Sequence, residues 1–205
     1  MGTDEAITAI RAGRPVLLPT DTVYGLCTAA DSEDAALAVY RLKGRLETQP
    51  TAILAASVDD LVLAIPELRD DSGTIVRTLL PGPFTLVLPN PARRFRWLAG
   101  TRVDAIGVRV PVLPEPARAV VSAVGAVLAT SANDPGGPNP ATLDDVPRRI
   151  RDGCAVELDL GPLPGTPSTV IDFTGTEPYV IREGVAPSGD ALARVRAALS
   201  LRDAE

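Results

Sequence analysis

The chain has 205 residues, of which 45% are hydrophobic and 22% charged, with a formal net charge of −6. That composition fits a soluble globular fold with one core, and the negative balance argues against nucleic-acid binding through bulk charge alone, without excluding a local basic pocket. There is no histidine, which removes Ser-His-Asp and Cys-His catalysis, H-E-x-x-H zinc sites and histidine phosphotransfer. Chemistry must then rest on carboxylates, Lys, Arg, hydroxyls, backbone amides or an oxygen-held metal.

Strand-like and helix-like segments alternate along the chain. Thr3 to Ala12 reads as a capped helix stopping at Gly13, followed by the strand "PVLLP" and the hydroxyl-rich exit "TDTVYGL". "DSEDAALAVYRLKGR" reads as a helix capped by Asp31 or Ser32, with acids in its first turn. "TAILAA" is a buried strand, "VDDLVLAI" a short helix and "DSGTIVRTLL" a helix ended by Pro81-Gly82. Further strands fall at "FTLVLP", "AIGVRVP", "AVLATSA", "CAVELDL", "STVIDF" and "YVIRE", with helices over Glu115 to Val124 and Asp190 to Leu199. The 17 glycines and 20 prolines cluster at "LPGPF", "NDPGGPNPA" and "LGPLPGTPS", which read as turns and site loops. Aromatics are 3%, so the core is built from Ala, Val, Leu and Ile. The expected architecture is a single α/β domain over 1–205, a mixed sheet flanked by helices.

Cys27 and Cys154 form no C-x-x-C arrangement and read as small thiols in a reducing compartment. "MGTDEAI" has no signal pattern, and the uncharged stretch near Ala119 to Asn133 is too short to span a bilayer. The expectation is a cytoplasmic protein with no membrane segment.

Neither a P-loop nor a strand-linked G-x-G-x-x-G is present. Four polar clusters adjoin apolar strands instead. Thr20, Asp21, Thr22 and Tyr24 either tie up a turn or line a small-ligand pocket. Arg41, Lys43 and Arg45 in "RLKGR" either complement a helix C-terminus or converge on an anion. Arg109 between Val108 and Val110 either faces solvent across the pleat or stands in a cleft. Ser131 and Asn133 open a Gly-Pro loop that is either an ordinary turn or an anion-binding nest.

Taken in order, "LPTDTVYGL", "LKGR", "LPGPFTLVL", "VRVP", "TSAN" with its glycine loop, "STVID" and "IREG" resemble the threonylcarbamoyl-AMP synthase family, the YrdC-like domain proteins. The resemblance covers about residues 10–185 and is to the short form, with a C-terminal helix near 188–201. It implies a twisted sheet with a concave cationic cleft. The activity it implies joins L-threonine, bicarbonate and ATP into threonylcarbamoyl-AMP and pyrophosphate, with Mg²⁺ on the ATP phosphates. Partner proteins would then use the product to modify tRNA.

By the same resemblance, Thr22, Arg109 and Ser168 match the threonine-binding positions. Lys43, Arg45, Gln49, Ser131, Asn133, Asn139 and Arg182 match the ATP-binding positions, Lys43 and Arg45 acting electrostatically without a side-chain nucleophile. Within "LPTDTVYGL", Thr20 and Asp21 are read as shaping the turn, and Tyr24 and Gly25 as packing the strand's exit. Leu54 stands where the family often has histidine, Ala105 where threonine is usual, and "LETQPTAI" departs from its proline and N-P-L pattern. Two other readings stay open: a weakly active or non-enzymatic relative binding nucleotide or RNA directly, and carbamoyl-adenylate chemistry on another amino acid or carbamoyl donor.

Overall fold

A computed structural model describes residues 2–202, so Met1 and residues 203–205 of the expected domain span lie outside the described residues. In chain order the elements are α1 (Thr3–Arg11), β1 (Val16–Pro19), β2 (Tyr24–Ala29), α2 (Glu33–Lys43), β3 (Ala52–Ala55), α3 (Val58–Ala64), α4 (Asp70–Leu79) and β4 (Phe84–Pro89). They continue with β5 (Ala105–Arg109), α5 (Glu115–Val124), β6 (Ala126–Ser131), α6 (Arg148–Asp152), β7 (Val156–Glu157), β8 (Thr169–Asp172), β9 (Tyr179–Arg182) and α7 (Ser188–Arg202). Short 3₁₀ turns lie at Arg96–Leu98 and Leu143–Asp145.

The expected elements are present, with local differences. Ser32, not Asp31, caps α2 by accepting from Ala35 N at 3.2 Å, and the helix stops where Gly44 takes the left-handed conformation at φ 69°. The hydroxyl-rich turn after β1 leads into a second strand, β2, which pairs antiparallel with β1 through Leu18↔Gly25 and Pro19↔Tyr24. Tyr24 and Gly25 are therefore the first residues of a central strand rather than the exit of the first. "CAVELDL" contributes only Val156 and Glu157 to the sheet, as a short edge beside β1.

The described strands form one mixed sheet in the order β7-β1-β2-β6-β3-β5-β4-β8-β9. Strand pairs β1–β7, β3–β5 and β4–β8 are parallel and the others antiparallel. Alternation across the pleat divides the side chains between two layers. On one face Leu26, Ile53, Leu86, Val108, Leu128 and Ile171 join the larger core, together with Val39 of α2, Leu61 of α3, Val76 of α4 and Val195 of α7. The opposite face is covered only over β1, β2, β6 and β3, where Ile10 of α1 and Val120 and Val121 of α5 pack on Val16, Leu18, Cys27, Leu54 and Val127. Strands buried on both faces read as continuous apolar runs, which is why "VLLP" shows no alternation. Burying Cys27 pushes its thiol up to about 12, so it stays protonated as a small core group.

At the far edge, β8 and β9 pair as Ile171↔Val180 and Val170↔Arg182, with a bulge between them. The extra residue, Ile181, lets Tyr179 and Arg182 lie opposite Asp172 and Val170, which belong to the same pleat face. The chain leaves β9 through Gly184, whose missing side chain is required. A Cβ there would lie inside the van der Waals envelope of the backbone of Pro167, Ser168 and Thr169.

Two stability predictions follow from this packing. Gly184→Ala should lower stability by about 1–3 kcal/mol, the usual cost of overpacking, checked by denaturant unfolding. Thr28, wholly buried in β2, leaves its hydroxyl without a partner. Thr28→Val should accordingly raise stability by about 1 kcal/mol, seen as a Tm increase of about 2–4 °C.

Candidate functional site

The uncovered half of the second sheet face is the floor of a cavity of about 410 Å³. Ala52, Thr85, Val87, Ala105, Gly107 and Val170 face it from β3, β4, β5 and β8, alternating with core residues along the same strands. Small side chains keep the floor low. Among the described residues four arginines, Arg45, Arg102, Arg109 and Arg182, line the wall, and no carboxylate does.

One end is rich in hydroxyls. Thr20 Oγ1 accepts from the backbone N–H groups of Thr22 and Val23, each at 3.2 Å, and lies 2.7 Å from Val23 O. This tight turn delivers Thr22, fully buried, with its hydroxyl 3.0 Å from that of Thr20. Asp21 does more than shape the turn: its Oδ1 accepts from Arg109 Nη2 at 2.9 Å. Arg109 Nη2 also lies 3.4 Å from Thr22 Oγ1. Both charged side chains are only 12% exposed, and Arg109 Nε and Asp21 Oδ2 have no partner. Burial raises the Asp21 pKa despite the attraction of Arg109, and lowers that of Arg109 despite Asp21. Desolvation therefore outweighs attraction on both sides of the pair.

Across the cavity, Ser168 shares a hydrogen bond of 2.8 Å with Thr85. Its carbonyl accepts from Arg182 Nη2 at 2.8 Å and Nε at 3.2 Å. Arg182 has no acidic partner here, and partial burial lowers its pKa. Arg45 is held in the same way, its Nη2 donating to Pro50 O at 2.5 Å and its Nε to Gln49 O at 3.4 Å. Arg102, by contrast, is neutralised by Asp172 at 2.7 Å and also donates to Thr174 Oγ1. Two of the four arginines thus have a carboxylate, and two have only carbonyl and hydroxyl oxygens as partners among the described residues.

Lys43 does not line the cavity. It is 1% exposed, and its ammonium donates to Ser131 O, to Asn133 O at 2.8 Å and to Asn133 Oδ1 at 2.9 Å. Desolvation, followed by repulsion from Arg45, lowers its pKa to about 8. Asn133 is turned away as well, donating from Nδ2 to Gly137 O at 2.7 Å.

Of the residues singled out in the sequence, Thr22, Arg45, Arg109, Ser131, Ser168 and Arg182 meet in this cavity. Lys43 and Asn133 lie behind the Ser131 loop, Gln49 is exposed beside Arg45, and Asn139 is half-buried farther along the loop. Arg109 is neither solvent-facing nor unpaired. Thr85 and Arg102 were not anticipated; the pleat alternation in "FTLVLP" marks Thr85, whereas nothing in the irregular segment around Arg102 marks that residue. Leu54 packs with Leu113 and Ala117 in the second core, outside the cavity wall, while Ala105 lines the wall itself.

No described helix is long and apolar enough to cross a membrane. Among the described residues no group of three or more His, Cys, Asp or Glu could hold a metal ion.

Comparison with known proteins places the chain and its fold. The chain is 34% identical over 187 residues to a putative threonylcarbamoyl-AMP synthase of Mycobacterium tuberculosis, covering 89% of this chain and 84% of that one. It is 32% identical over 179 residues to the threonylcarbamoyl-AMP synthase of Pyrococcus abyssi, covering 87% of this chain but 52% of the relative. The P. abyssi Sua5 structure complexed with L-threonine superposes with a TM-score of 0.84 at 31% identity, over 94% of this chain and 56% of that chain. The chain therefore spans little more than half of that solved relative. E. coli YciO shares the fold at a TM-score of 0.80 and 24% identity, covering 93% of this chain and 92% of that one. A family model for Sua5/YciO/YrdC proteins, described as "Telomere recombination", matches residues 8–184. The chain belongs to the Sua5/YciO/YrdC family, among whose named members are threonylcarbamoyl-AMP synthases.

Proposed function

We propose that this chain is an L-threonylcarbamoyladenylate synthase, condensing L-threonine, bicarbonate and ATP to threonylcarbamoyl-AMP and pyrophosphate. The carrying observation is the pairing of two kinds of arginine in one cavity. Arg109, neutralised by Asp21, stands beside the hydroxyls of Thr20 and Thr22, with Thr85 and Ser168 across the cavity, while Arg45 and Arg182 have no acidic partner among the described residues. The hydroxyl-rich end suits a small polar amino acid, and the carbonyl-tethered arginines suit the charge of a polyphosphate. A P. abyssi relative with the same fold was solved with L-threonine.

In this reading, the threonine amine and bicarbonate give a carbamate, with loss of water. A carbamate oxygen then attacks the α-phosphorus of ATP as the bond to pyrophosphate breaks. The nucleophile arrives already anionic, so no histidine or serine is needed; the protein's task is in-line placement and charge neutralisation. Thr22, Arg109 and Ser168 hold the amino acid. Arg45 and Arg182 draw the phosphate charge, with Ser131, Gln49 and Asn139 around the nucleotide. Lys43 and Asn133 contribute through the loop they share. Mg²⁺ is proposed to enter with the triphosphate. Delivery of the product to tRNA-modifying partner proteins belongs to the same proposal.

Incubation with ATP, Mg²⁺, bicarbonate and each amino acid, reading pyrophosphate and carbamoyl-adenylate mass, tests this directly. Threonine-dependent product is expected; its absence under all Mg²⁺ conditions would sink the reading. Product with a different amino acid would assign the cavity to related chemistry on that substrate. Arg45→Ala and Arg182→Ala should each cut turnover by about 100-fold, the scale of losing one charge-stabilising contact to a transition state, with unfolding midpoints near wild type.

A further inference from the structure

The loop after β6 is fastened to the C-terminal turn of α2 by two cations, and neither faces the cavity. Lys43 presents three N–H donors, and three acceptors of residues 131–133 occupy them, two of those on Asn133. Asn133 Oδ1 also accepts from Ser131 Oγ at 2.7 Å, so one amide oxygen joins the lysine to the cavity-lining serine. The second cation comes from a different element. Arg149 of α6 donates to Leu42 O, to Lys43 O at 3.1 Å and to Asp134 Oδ1. Those two carbonyls belong to the last turn of α2, where the helix supplies no intrahelical donors. One guanidinium thus completes the helix end and holds the residue that follows Asn133.

We propose that Arg149 and Lys43 are positioning residues that lock residues 131–137 onto the α2 terminus, fixing the height at which Ser131 meets an anion in the cavity. The ligand touches the loop and Arg45, while Lys43 and Arg149 act on it only through that loop. Nothing in the sequence motifs points to Arg149, which lies in a short helix far along the chain. The charged groups around Lys43 are Arg45, Asp134 and Arg149. Only Asp134 is acidic, and it is half-exposed and in contact with Arg149. An ion pair that exposed contributes little to global stability, so loop order can be changed without unfolding the protein.

Hydrogen exchange of the free protein tests the lock without reference to any reaction. Arg149→Gln should raise exchange across residues 131–137 by about tenfold while the central sheet stays protected, and its Tm should fall by no more than about 2 °C. Lys43→Met should do the same where it folds. Unchanged loop exchange in Arg149→Gln would overturn the proposal. With ATP and Mg²⁺ as probe, Arg149→Gln should weaken binding by about tenfold, the effect of a small misplacement, with L-threonine binding intact. Arg149→Lys, which keeps the charge but loses the fork, should restore only part of it. Equal weakening of both ligands with a large fall in Tm would instead mean a merely structural residue. The ATP arm rests on the proposed function; the exchange arm does not, so failure of one is distinguishable from failure of the other.

A pH readout separates a buried lock from an exposed phosphate ligand. The folded pKa of Lys43, about 8, lies below its ordinary 10.5. Between those values the unfolded chain binds a proton that the folded chain does not, so this residue makes stability rise with pH across that window. Lys43→Met should abolish that rise, whereas an identical pH dependence in both proteins would count against the buried lock.

Discussion

A nine-stranded sheet has more face than two helices can cover, and the rest of the molecule follows from that shortfall. One side is sealed by the larger core. On the other, α1 and α5 protect β1, β2, β6 and β3 and stop there. The uncovered strands present mostly small or polar residues, with Val87 and Val170 as exceptions, because large apolar side chains in that position would remain wet. Thr85, Gly107, Arg109 and Ser168 occur where the pleat turns toward this opening. Cavity and core are thus two outcomes of one alternation.

Each site element reaches the opening by a different device. A threonine-stabilised turn feeds Thr22 and Asp21 inward, a glycine-ended helix sends Arg45 forward, and a bulge brings Arg182 across from the edge strand. Gly184 then lets the chain pass directly over the Ser168 backbone that Arg182 holds. None of these devices is a rigid template by itself. They are made mutually dependent by hydrogen bonds spanning many residues of sequence.

Much of this was legible from residue order. Apolar runs bounded by Gly, Pro and Asp located most strands, and acids at one helix end with basic residues at the other located α2. The site clusters also stood out, because hydroxyls and arginines interrupt runs that packing alone would keep apolar. What stayed hidden was partnership. "TDTVYGL" holds only the first three residues of β2, directly after the turn, so its start reads as the exit of β1. Asp21 looked like a turn residue because its partner lies 88 positions away. Lys43 reads as a cation for an anion because the backbone carbonyls that accept its hydrogen bonds leave no mark in side-chain identity. Periodicity reports which face a residue occupies; it does not report what waits on that face.

The uneven compensation of the four arginines has a kinetic side. The whole chain carries −6, so an approaching polyanion meets net repulsion at a distance. Attraction from Arg45 and Arg182 takes over only within a Debye length, about 8 Å at physiological ionic strength. Long-range steering into the cavity is therefore weak, and capture depends on contacts made after arrival. Added salt would first screen the repulsion of the surface and only then the grip of the two arginines. For the polyphosphate proposed as ligand, encounter and retention would respond to ionic strength in opposite directions.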